Sequence, residues 1–136
     1  MPDRTIEKTI HIAAPPEMVW DYLTKSDQLA KWFHRPEANF SDGQAFDMIG
    51  KDGSSLCSGA IEVMQPFERL TYSFTAGPMH GLMTKVAWTL TAVAGGTRLG
   101  LVHSGFGKGV DGFGLLVAFD KGWDGHLIRL REIEAD

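Results

Sequence analysis

Histidines, one cysteine and a glycine-rich loop are the features of this 136-residue chain that chemistry could use. His103 follows Leu99 and Leu101 at two-residue steps, so alternation puts all three on one face of a strand. A histidine on an apolar face is an acid/base or ligand-orienting group when its nitrogens are open, and a core residue when they are bonded to backbone or water. Ser104 points to the opposite face and is excluded as a nucleophilic partner, and no GxSxG turn occurs. His11, His34, His80 and His126 form no HxH, HxxxH or His-Cys spacing, so no metal or other cofactor is expected. Cys57 keeps the phase of Ile61 and Val63 and reads as a small buried apolar residue rather than a nucleophile. Asp47, Glu62 and Glu68 fall on an outward phase or in a turn and make no carboxylate pair for hydrolysis.

Gly107-Lys108-Gly109-Val110-Asp111-Gly112 is a literal GxGxxG between a strand and a helix. A dinucleotide site also needs a second parallel strand with an acidic ribose partner, and the sequence ends in or just after the helix instead. These glycines are expected to let the loop turn tightly, with Asp111 as the helix N-cap.

That helix carries the most aromatic stretch. From Phe113, apolar residues recur at Leu116, Phe119, Trp123, Leu127 and Leu130, steps of three and four that define one helix face. Upstream, the alternation of Ile6, Ile10 and Ile12 reads as a half-buried strand over Arg4 to Ile12. Pro16 and Glu17 suit a helix start, and Ser26 or Asp27 is expected to cap a second helix ending at Trp32. After Pro36 the period becomes two. Strands are expected over Gln44 to Ile49, Ser55 to Met64, Arg69 to Thr75, Leu82 to Val93 and Thr97 to Ser104, with turns at Lys51-Asp52-Gly53, Pro66-Phe67 and Gly95-Gly96. Connections this short require antiparallel pairing. One face of the sheet is apolar, and the final helix is the right length to cover it.

Composition bounds the partners. With 43% hydrophobic and 22% charged residues, residues 1–136 are expected to form one domain with a substantial core. Net charge is −4 and Lys and Arg form no runs, so nucleic acid is not an expected partner. No apolar run suits a secretion signal or a membrane span, and the single cysteine excludes an internal disulfide. A cytoplasmic protein is expected.

The stretches IHIAAPPEMVWDYLT, LAKWFHRP, GAIEVMQPFERLTYSF, GTRLGLVHSGF and GWDGHLIRL together resemble the START-like, or SRPBCC, superfamily. Within it the chain is similar to the family named after the activator of a heat-shock chaperone ATPase. The resemblance implies an α+β helix-grip fold, a curved antiparallel sheet around a long C-terminal helix, often enclosing a cavity for apolar small molecules. The leading expectation is noncatalytic binding of such a molecule. Phe46, Met48, Ile61, Tyr72, Phe74, Trp88, Phe113, Leu116, Phe119 and Trp123 would form the wall, and His103 would orient a polar end. Gly77 to Met83 and Ser104 to Gly107 would form an adaptable entrance. A co-chaperone acting on a heat-shock ATPase, and a cyclase- or hydratase-like enzyme using His103, are the alternatives.

Overall fold

The computed structural model describes residues 5–50, 52–79, 81–106 and 110–133. Alternating isoleucines build β1 (Thr5–Ile12), which buries Ile6 and Ile12. After Ala13 and Ala14 the chain turns into a helix at Pro15-Pro16, where proline at the first helical position lacks only an N–H that the helix would leave unpaired. Helix α1 (Pro16–Thr24) follows and turns Val19, Trp20, Tyr22 and Leu23 inward. Helix α2 (Ser26–Trp32) then buries Leu29 and Trp32. Its cap differs from expectation. Lys25 is the N-cap, while the Ser26 hydroxyl donates to the Pro36 carbonyl at 2.6 Å and the Ser26 N–H donates to Asn39 at 2.8 Å. Ser26 thus ties the helix to the segment that follows it.

That segment contains a strand the sequence did not announce, β2 (Arg35–Pro36), paired with β3 (Ala45–Ile49). Two residues are too few to display a period, and proline is tolerated there because β2 is the sheet's outer edge. The sheet continues through β4 (Ser55–Gln65), β5 (Arg69–Ala76), β6 (Thr84–Val93) and β7 (Gly96–Ser104), with a 3-10 turn at Gly77–Met79. Its order is β1-β7-β6-β5-β4-β3-β2, antiparallel throughout. The first strand therefore lies beside the last, from Thr5 opposite Ser104 to Ile12 opposite Thr97.

Register decides which side chains face inward. Leu70, Tyr72, Phe74, Val86, Trp88, Leu90, Leu99, Leu101 and His103 are all buried on the concave face, as their phase predicts. Val63 is the exception. The β4–β5 register shifts between Ile61 and Val63, so Val63 pairs with Thr71 and Met64 with Leu70. One extra residue in a strand moves every later side chain to the opposite face. Gly59 is required nearby: a Cβ there would sit 1.8 Å from the Ser73 carbonyl oxygen.

The concave face is filled by α3 (Val110–Ile133), about 36 Å long at 1.5 Å per residue. Trp32, Trp88 and Trp123 meet edge to face at centroid distances of 5.9 and 5.5 Å, linking α2, sheet and α3. On the outside, the Lys8 ammonium holds Asp120 at 2.9 Å and Asp124 at 2.8 Å, fastening β1 to α3. The result is an α+β helix-grip fold: a curved seven-stranded sheet, two short helices and one long one. Among the described residues no helix is long and apolar enough to cross a membrane. Gly107, Lys108 and Gly109 of the GxGxxG stretch, Lys51 and His80, and the side chain of Asp111 lie outside the described residues.

Candidate functional site

His103 is wholly buried, and its bonding settles its state. The Trp123 indole N–H, a donor only, lies 3.0 Å from Nδ1, so Nδ1 accepts. The Thr84 hydroxyl lies 2.7 Å from the Phe74 carbonyl and spends its one proton there. It lies 2.8 Å from His103 Nε2 and there accepts, so Nε2 carries the imidazole proton. The chain Trp123 to His103 to Thr84 to Phe74 is fully paired, with a neutral ring in its middle. Burial also drives the ring's pKa down to about 4. Neither nitrogen is open to a reactant or a ligand, which corrects the expectation that His103 orients a ligand or acts as acid/base.

Beside this chain the side chains leave a recess of about 260 Å³ between sheet and α3. Its inner wall is apolar: Phe74 and Ala76 from β5, Cys57 from β4, and Phe119 and Trp123 from α3. Phe33, which follows the last residue of α2, lines the recess beside them, stacked on Trp123 at 5.2 Å, 19° from parallel. Ala118 and Gly122, one turn apart on α3 and both exposed, border its solvent side. A Cβ at Gly122 would have no neighbour within 4 Å. Leu56, His34 and His126 complete the lining.

The two histidines bring polarity. Their rings lie 5.3 Å apart, and Phe33 packs against both, at 4.6 and 4.7 Å. The Arg129 guanidinium reaches His126 Nδ1 at 2.6 Å, while its Nε donates weakly to the Trp32 carbonyl at 3.4 Å. The same Nδ1 lies 3.1 Å from the Trp32 carbonyl. A guanidinium only donates and a carbonyl only accepts, so Nδ1 accepts from Arg129 in one tautomer and donates to Trp32 in the other, and in both Nε2 has no partner among the described residues. Burial lowers the pKa of His126 to about 4, its contact with the Trp32 carbonyl opposes the fall, and His34 and Arg129 add to it. Burial, then Arg129, lowers that of His34 as well. Burial and the Asp47 charge push the Cys57 thiol up to about 12, so it is no thiolate.

Of the expected wall, Phe74, Phe119 and Trp123 line the recess. Met48, Tyr72 and Trp88 do not; they are buried in the packed core, the Trp88 indole donating to the Tyr72 hydroxyl at 3.1 Å. Phe46 and Ile61 border a separate hollow of about 100 Å³ near Asn39 and Gln44. Leu116 packs against the core without reaching the recess. Phe113 is 55% exposed, which corrects its assignment to the wall. Phe106, buried and 4.5 Å from the His103 ring, covers that end instead. The expected entrance at Gly77 to Met83 contributes no lining residue among those described. The sequence reading missed Phe33, His34 and His126, although the run Trp32-Phe33-His34 at a helix end and a histidine three residues beyond Trp123 were visible signals.

A larger depression of about 650 Å³ lies at the far end of α3, between the end of β1 and the β6–β7 turn. It is lined by His11, Ile12 and Ala13, by Val93 to Gly96 of the hairpin, and by Ile128, Arg131 and Glu132 of α3; it has no Phe, Tyr or Trp ring, unlike the recess. Among the described residues no three His, Cys, Asp or Glu side chains gather as a metal site.

Known structures share the fold. A Mesorhizobium loti protein superposes with a TM-score of 0.82 at 23% identity, covering 95% of each chain. The Aha1 dimer from Colwellia psychrerythraea gives 0.80 at 20% identity, covering 96% of each. CalU16 from Micromonospora echinospora gives 0.79 at 26% identity, covering 94% of this chain and 74% of that one. No curated protein matches significantly by sequence. The family model described as activator of Hsp90 ATPase homolog 1-like protein matches residues 13–134, from the end of β1 to just past α3. The chain belongs to that family.

Proposed function

We propose that this protein binds a small hydrophobic molecule in the recess between β4, β5, Phe33 and α3. The observation that carries the reading is the convergence of Phe33, Phe74, Phe119 and Trp123 on a space that Gly122 leaves open. A mid-helix glycine costs about 1 kcal/mol relative to alanine, and Gly122 is an exposed one on the rim of the recess. At about 260 Å³ the space falls just under the range usual for ligand pockets, about 300–1,000 Å³, which suits an occupant of one or two rings. The lone, buried Cys57 agrees with a reducing cytoplasmic setting.

Native mass spectrometry of protein purified gently from its own cells tests the reading. The expected result is a defined mass excess that vanishes on denaturation and is lost in Gly122→Leu, whose side chain would fill the space. An adduct retained by Gly122→Leu and by Phe119→Ala alike would put the ligand elsewhere.

A second reading, regulation of a heat-shock chaperone ATPase through surface contact, is favoured by the description of the family model. Steady-state ATPase of the cognate chaperone, with and without saturating protein, tests it; an unchanged rate rejects it. The cyclase- or hydratase-like alternative loses the acid/base on which it was built, because His103 is fully bonded within the core.

A further inference from the structure

The recess has a chemically distinct end. Among its lining residues the only titratable groups are His34, His126 and Cys57; no carboxylate is present. His34 makes no hydrogen bond among the described residues, and His126 uses only Nδ1. Arg129, directly behind His126, has no carboxylate within 4.0 Å among the described residues, and Nε and one Nη are the only nitrogens it engages. A guanidinium has five N–H donors in a planar fork. The lining of an apolar hollow therefore carries two imidazoles with nitrogens to spare and no carboxylate, with a permanent cation bonded to one imidazole from behind; the Asp47 charge is felt at Cys57, on the other element of the lining.

We propose that the occupant is a monocarboxylic acid whose apolar body fills the recess and whose carboxylate is held at its mouth by Arg129, His126 and His34. This rests on the binding reading above and deepens it by naming the ligand's head. Charge selects the class. A cationic head would meet only Arg129 and two imidazoles, and a neutral head would leave the guanidinium without a counter-charge. A dianionic phosphate would bring two charges to one permanent cation. A carboxylate brings one, and its two oxygens match the guanidinium fork, which makes short charge-assisted bonds. Imidazole N–H groups on the neighbouring rings donate to whichever oxygen the fork leaves open.

The test uses probes differing only at the head: 3-phenylpropanoate, 3-phenylpropan-1-ol and 3-phenylpropan-1-amine. A second set built on a naphthyl ring guards against a poor fit of the body. Affinities come from calorimetry, and amide shifts in 15N-labelled protein locate the site. The expected result is shifts at Phe33, Phe119 and Gly122 for acid and alcohol, with the acid roughly tenfold tighter or more, the scale of one charge-assisted contact. Arg129→Gln should bring the acid down to the alcohol's affinity and leave the alcohol unchanged; because Arg129 is exposed, the variant should fold. Equal affinities for acid and alcohol, or a preference for the amine, at those same amides would overturn the carboxylate head and leave hydrophobic binding standing. No shift at those amides with any probe of either set would overturn the binding reading and this inference with it.

Discussion

The imidazole of His103 is held neutral from both sides, by an indole that can only donate and a hydroxyl whose proton is committed to the Phe74 carbonyl. Thr84→Val leaves the Nε2–H and that carbonyl without a partner, and Trp123→Phe leaves Nδ1 without one. Each is expected to cost about 1–3 kcal/mol in urea unfolding, the penalty of an orphaned buried polar group. Two-dimensional 15N spectra of the ring should show a single Nε2–H tautomer down to about pH 5; a ring titrating near 6.5 would contradict the assignment. The groups packed against it, Phe74, Phe106, Phe119, Thr84 and Trp123, carry no charge, so burial alone sets its pKa of about 4 against an ordinary 6.5. The unfolded chain then binds more protons between those values. Stability is complete above pH 6.5 and falls as pH drops towards 4, by about 3 kcal/mol from this residue. Urea unfolding across that window measures the fall, with His126 contributing in the same direction.

Sequence pattern resolved these residues unevenly. Strict alternation placed Leu99, Leu101 and His103 on one face, and helical spacing placed Phe119 and Trp123 together. Alternation says nothing about what a buried nitrogen meets, since Thr84 lies on another strand and Trp123 on a helix. Phe33 and His34 belong to neither period: they follow the last turn of α2, where side-chain direction is set by tertiary packing.

Among the elements, α3 carries the most consequence. Gly122 sits mid-helix with open space where its Cβ would be, so Gly122→Ala should stabilise the fold by about 0.5–1 kcal/mol while narrowing the recess. Thermal unfolding of the free protein and of protein with saturating 3-phenylpropanoate should move in opposite senses: a higher Tm alone, a smaller rise with the acid. Strand β4 supplies the contrasting glycine. Gly59→Ala drives a Cβ into the Ser73 carbonyl, and the backbone must give way, at about 3 kcal/mol or more. The order of strands and helices was legible from periodicity and turn residues. The bulge at Glu62 was not, because Val63 and Met64 are both apolar and either satisfies an alternating pattern. Only the pairing of Val63 with Thr71 reveals which one left the core.

At the scale of the molecule, packing and recess are separable. Trp88, 1% exposed at the centre of the three-indole contact, is expected to cost about 3–5 kcal/mol as Trp88→Ala. Phe119 is partly buried at the edge of the recess, and Phe119→Ala should weaken ligand uptake with a smaller loss of stability. Guanidinium unfolding and calorimetry on the two variants check the division; equal loss of stability in both would place Phe119 in the core rather than at a site. A ligand at a hundred times its Kd should add about 2.7 kcal/mol to global stability. The lasting register between β1 and β7 ties the chain's first strand to its last, so that gain should be felt in one cooperative transition.

Of the four tryptophans, Trp20, Trp32 and Trp88 border no part of the recess, and Trp123 is one of its walls. Its indole is pinned through the N–H to His103 and stacked on Phe33, so it has one orientation and a dry surrounding. The molecule thereby contains its own optical gauge: emission from Trp123 should shift in wavelength and intensity when the space beside it fills.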